Sequence, residues 1–77
     1  MTIYRIEILR IHENNKTLRD IIPIDYTNLQ TCNSAIKDYA EAWRKEATLI
    51  QHHAGQSVVF LTNFRIEFTR LPSEPCL

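Results

Sequence analysis

Residues 57–71 read SVVFLTNFRIEFTRL, and the way this stretch folds decides how the rest of the chain is arranged. β-Branched and aromatic residues, which suit a pleated and half-buried surface, dominate it. Two arrangements compete. As one strand, Val58, Phe60, Phe64, Ile66 and Phe68 share a face, with Arg65, Glu67 and Thr69 opposite. As a hairpin turning at Thr62-Asn63, Val59 and Leu61 join Phe64, Ile66 and Phe68 instead. Thr62-Asn63 is not the Asn-Gly pair that two-residue hairpins favour, so the expectation is one long, bent strand. In that arrangement Val59, Leu61 and Leu71 fall on the face that carries Arg65 and Glu67.

Upstream of this stretch, residues 28–54 read as one long amphipathic helix. Leu29, Cys32, Ile36, Tyr39, Trp43, Ala47 and Ile50 follow one another at three- and four-residue steps, and Ala35, Ala40 and Ala54 widen the stripe. Thr27 and Gln30 have the spacing of a capping box. Gly55 is the expected C-terminal cap, because it alone takes a left-handed conformation without steric penalty. Such a helix would be roughly 40 Å long. Thr31-Cys32-Asn33-Ser34 is a weak helical stretch, so its first turn is expected to fray. Glu41 and Lys45 form an i,i+4 pair in the favourable order.

At the N-terminal end, residues 2–12 (TIYRIEILRIH) form a first strand. Tyr4, Ile6 and Ile8 share one face, and Ile3, Arg5, Glu7, Leu9 and Ile11 share the other. Glu13-Asn14-Asn15-Lys16 is a turn in which asparagine substitutes for glycine. A second strand runs from Thr17 to about Ile24, and Pro23 restricts it to the sheet edge. The fold class is therefore α+β: a small antiparallel sheet, ββαβ or ββαββ, packed on one long amphipathic helix. Residues 1–71 make a single domain, and residues 72–77, with Pro72 and Pro75, make a C-terminal tail.

Composition excludes several functions. Nine Lys+Arg balance nine Asp+Glu, so the basic excess of a general nucleic-acid or anionic-membrane binder is missing. One glycine in 77 residues excludes phosphate-cradling loops. Charges enter at Arg5 and Glu7, which fits neither a signal peptide nor a membrane span, and the expected location is the cytoplasm. Cys32 and Cys76 then read as free thiols.

No residue set demands catalysis. His52 and His53 are adjacent, and on a helix they point about 100° apart, whereas a helical zinc pair needs i,i+3 or i,i+4 spacing. They read as histidines at a helix C-terminus, where the dipole favours them. Cys32 lies on the apolar stripe and reads as a small hydrophobe rather than a nucleophile. Asp20 with Asp25, and Glu41 with Glu46, read as solvated charge. No metal, cofactor or catalytic residue is expected.

The geometry of one helix on several strands leaves a bare sheet face. That face is expected to carry Ile3, Arg5, Glu7, Leu9, Ile11, Val59, Leu61, Arg65, Glu67 and Leu71. Aliphatics interleaved with mutually pairing charges suit a protein surface better than a phosphate backbone. The expectation is a non-enzymatic protein–protein interaction module, with another protein as partner and a homodimer formed through the sheet. In size and lack of motifs it is similar to small inhibitors, adaptors and regulatory subunits, phage or mobile-element inhibitors of host machinery among them. Two rivals are a small RNA- or DNA-binding protein using the sheet face, with Tyr4, Tyr39 and Trp43 as stacking groups and Arg5, Arg10, Arg65 and Arg70 as phosphate contacts, and a metal- or thiol-dependent enzyme.

Overall fold

Thr62 and Asn63 form a tight turn, closed by the Leu61 N–H donating to the Phe64 carbonyl at 2.9 Å, and residues 57–71 fold back on themselves. The structure, a computed structural model, describes residues 2–73. Its elements are β1 (Ile3–His12), β2 (Thr17–Tyr26), α1 (Leu29–Glu41), β3 (Leu49–His53), β4 (Gln56–Phe60) and β5 (Phe64–Ser73). The five strands form one sheet in the order β2-β1-β5-β4-β3, and every neighbouring pair is antiparallel. The pattern is thus ββαβββ, with one more strand than the longer of the two patterns expected. The hairpin, not the single bent strand, is the arrangement of residues 57–71.

The helix is short. Its 13 residues span about 20 Å, half the expected length. Asn28, not Thr27, is the N-cap: its Oδ1 accepts from the Thr31 N–H at 3.0 Å. That cap holds Thr31 through Ser34 in the helix despite their weak propensity. Beyond Glu41 the chain tightens into i→i−3 bonds, from Trp43 to Ala40, Arg44 to Glu41 and Glu46 to Trp43. It then turns onto β4, where Thr48 donates to the Phe60 carbonyl at 2.8 Å. Ile50 stays on the core side in either conformation. As strand it sits opposite Val59. Strand pairing prevails because it satisfies backbone groups of β4 that would otherwise be orphaned. Gly55, at φ +75°, is therefore a turn residue between β3 and β4 and not a helix cap.

The β1–β2 turn follows its expectation. Asn15 takes φ 65°, its N–H donates to the His12 carbonyl, and the His12 N–H donates to the Lys16 carbonyl. This is a type I turn with a bulge, the usual three-residue hairpin solution, and asparagine fills the left-handed position. β2 is an edge strand, with Pro23 in it. At the other end β5 runs through Pro72 and Ser73, which lie opposite Tyr4 and Ile3, so the strand enters the segment expected to be a tail. Residues 74–77, Cys76 among them, lie outside the described residues.

The core lies between α1 and one face of the sheet. Cys32, Ile36 and Ala40 of the helix meet Ile6, Val59, Ile66 and Phe68 of the sheet. Tyr39 stacks on Phe68 with ring centroids 6.1 Å apart. Among the described residues no helix is long and apolar enough to cross a membrane.

Candidate functional site

A helix is about 10–12 Å wide and neighbouring strands lie about 4.8 Å apart, so α1 covers little more than two of the five strands. Strand alternation and the register between strands place two sets of residues on the uncovered, reverse face. Ile3, Arg5, Glu7, Leu9 and Ile11 come from β1, and Arg65, Glu67, Thr69 and Leu71 from β5. Ile21 of β2 and Phe60 of β4 extend the same surface, and Val58 lies on this side of β4 but is only 8 % exposed.

Charges on this face pair with one another. Arg5 Nε donates to Asp25 Oδ1 at 2.6 Å, Arg19 to Glu7, and Arg65 Nε to Glu67 Oε2 at 2.9 Å. Two of these pairs join β2 to β1 and the third lies within β5. Each is surface-exposed on at least one side, so its worth in stability is small, about 0–1 kcal/mol. Their consequence is electrostatic: a face with both signs and little net field. Leu9, Ile11, Ile21 and Leu71 lie among them, all half-buried.

Eight of the ten residues expected on the bare face are there. Val59 and Leu61 are not. Val59 is fully buried under α1, and Leu61 packs against the core cluster on the same side. The cause is the turn at Thr62-Asn63. A two-residue turn places odd-numbered residues of β4 opposite even-numbered residues of β5, as Val59 lies opposite Ile66. Val58 and Phe60 take their places on the reverse face, and neither was expected there; the hairpin alternative contained that signal.

The remaining chemistry-bearing residues lie on the helix side. His52 and His53 are on β3, so they cap no helix. His52 lies opposite Ser57, with Nδ1 2.7 Å from Ser57 Oγ and Nε2 3.2 Å from Glu41 Oε2. Glu41 also pairs with Arg44 instead of Lys45. The Arg44 hydrogen bond, reinforced by His52, holds the Glu41 carboxyl below its ordinary range. Serine, histidine and carboxylate in a row have the composition of a hydrolytic triad, but Ser57 has no exposed surface. Its hydroxyl cannot meet a substrate carbonyl unless α1 lifts from β4. The set instead ties the end of α1 to β3 and β4. No local motif announces it, because the three residues come together only through the β3–β4 hairpin.

Cys32 is buried and unpaired, and burial pushes its thiol up from the ordinary value against a smaller opposing pull from Arg70. That is the reverse of nucleophile activation. Arg70 donates from Nη1 to Asn33 Oδ1 at 2.8 Å and lies 5.8 Å from the centre of the Tyr4 ring. Tyr4, Tyr39 and Trp43, the stacking groups of the nucleic-acid reading, all pack against the core on the helix side, leaving Phe60 as the aromatic residue of the reverse face. Among the described residues no group of three His, Cys, Asp or Glu side chains is placed to hold a metal ion. No family model, curated protein or solved structure matches the chain.

Proposed function

We propose that this chain is a non-enzymatic protein-docking module whose working surface is the reverse face of the sheet. The observation that carries the reading is the composition of that face: aliphatic side chains set among Arg–carboxylate pairs already satisfied within the chain. A partner that covers it gains apolar burial at Leu9, Ile11, Ile21 and Leu71. It need not supply counter-charges, because the arginines keep theirs. The sheet also has the right size. Five strands of which three are ten residues long give a face of roughly 600–800 Å², close to the share each partner contributes to a standard interface. A role as an inhibitor, adaptor or regulatory subunit follows from docking without catalysis.

The arginines speak against the nucleic-acid reading. Arg5, Arg19 and Arg65 would have to leave their carboxylates before they could neutralise phosphates.

The test is co-purification from cells that make the protein, comparing wild type with a Leu9→Lys/Ile11→Lys double variant and with Lys37→Glu on the outer face of α1. The reading expects a partner protein retained by Lys37→Glu and lost by the double variant, with all three chains folded. Identical partner sets would contradict it.

A further inference from the structure

The two edges of the sheet are not equivalent. In the β1–β2 hairpin the His12 N–H donates to the Lys16 carbonyl. Antiparallel alternation then turns the backbone groups of Leu18, Asp20 and Ile22 toward β1 and those of Thr17, Arg19, Ile21 and Pro23 toward solvent. That outer row is obstructed. The Ile21 N–H is taken by Asp20 Oδ1 at 2.9 Å, Pro23 has no N–H, and the register shifts beside Pro23 between Ile6 and Tyr4. Proline, charge and irregularity are the devices that keep an edge from recruiting another strand.

β3 has none of these. The Leu61 N–H bond to Phe64 fixes the alternation in β4, so Gln56, Val58 and Phe60 turn their backbone groups toward β3. Their partners His53, Gln51 and Leu49 are thereby used. The N–H and C=O groups of Ile50 and His52 point outward. The strand Leu49–His53 contains no proline, no Asp, Glu, Lys or Arg, and its register with β4 is regular. Leu49 is half exposed.

We infer that β3 is the edge at which a second copy of this chain adds to the sheet, antiparallel and centred on Gln51. One register uses every outward group. Ile50 pairs with His52 of the second copy and His52 with Ile50 of the second copy, giving four backbone hydrogen bonds. Gln51 lies on the twofold axis opposite its own copy, and Leu49 lies opposite His53 of the second copy. The strand is thus self-complementary, as a twofold interface requires, and each histidine lies opposite an aliphatic residue of the second copy, so no like charges are opposed. A pairing only five residues long buries less than a standard interface, so the dimer belongs to the weak class, with dissociation constants of roughly micromolar to millimolar order. This inference stands apart from the docking reading, because it uses the edge and leaves the reverse face free and continuous across ten strands.

The experiment is sedimentation equilibrium of the full chain, up to about 1 mM, for wild type, Gln51→Lys, Gln51→Glu and their equimolar mixture. Gln51 is exposed, so both variants are expected to melt close to wild type. Wild type should dimerise with concentration. Each variant alone should associate at least about tenfold more weakly, because like charges then face each other on the axis, and the mixture should recover. Amide exchange gives a second reading on wild type alone: Ile50 and His52 should slow as concentration rises while Thr17 and Arg19 do not. A chain that stays monomeric overturns the inference. So does a dimer that is indifferent to Gln51, and sensitivity to Leu9→Lys would then move the contact to the reverse face. Neither result touches docking of a different protein there.

Discussion

His52 Nδ1 lies 2.7 Å from the hydroxyl of Ser57, the residue opposite it on β4, and that hydroxyl is fully buried. A carboxylate only accepts, so the Glu41 contact assigns a proton to His52 Nε2. In the neutral ring Nδ1 then accepts from the serine. His52→Ala leaves a buried hydroxyl without a partner and is expected to cost about 1–3 kcal/mol in urea unfolding. Ser57→Ala in the same background should recover part of that loss, because it removes the orphaned hydroxyl. A double-mutant cycle measures this, and simple additivity would dissolve the pair.

Gly55 is expected to be intolerant of a side chain. Its φ is +75°, and a Cβ built there would lie 3.0 Å from the Arg70 guanidinium carbon. The conformation alone disfavours an L side chain by roughly 1–2 kcal/mol. Arg70 is held in place by Asn33 and gives way only by losing that bond. Gly55→Ala should lower the melting temperature by several degrees, and Gly55→Ala with Arg70→Ala should recover part of the loss.

The Cys32 thiol makes alkaline stability a test of the core. Burial raises its folded pKa above the unfolded value, so the neutral thiol is favoured in the folded state. The associated stability is fully present below the unfolded pKa of about 8.5 and is lost as pH rises through the folded one. In a Cys76→Ser background, Cys32 should react with a thiol reagent only as fast as the protein opens, and Cys32→Ala should flatten the decline above about pH 8.5. Immediate reaction in the native state would mean that the thiol is accessible.

The two faces should answer differently to mutation. Ile36 is 1 % exposed, and Ile36→Ala is expected to cost about 2–5 kcal/mol through the cavity it leaves. Val59→Lys should prevent folding, because a lysine there has no route to water past α1. Leu9→Lys should leave thermal unfolding almost unchanged. If Leu9→Lys unfolds the chain as Val59→Lys does, the reverse face is core and not surface.

Much of this was legible where the deciding interactions are local. β1, the Asn15 turn and the edge position of β2 each follow from a few adjacent residues. So does the position on the reverse face of Ile3, Arg5, Glu7, Leu9 and Ile11, which all lie on β1. What failed depended on distant partners. Leu49–His53 continues the helical stripe and also fits a strand, and only the outward backbone groups of β4 decide between them. The Thr62-Asn63 turn has no glycine, and neither residue takes a positive φ, so it lacks the feature by which two-residue hairpins are usually read. This turn alone sets whether Val59 and Leu61 face α1 or the reverse side. The Glu41–His52–Ser57 contact was invisible for the same reason, since it exists only once β3 and β4 are recognised as a hairpin.

Docking of another protein on the reverse face is read out by a photo-crosslinking residue placed at Leu9 and, separately, at Lys37 on the outer face of α1, in cells that make the protein. Docking there requires a discrete adduct with a second protein from position 9 and none from position 37. A folded chain that yields no adduct at position 9, or yields the same adduct from both positions, would contradict it.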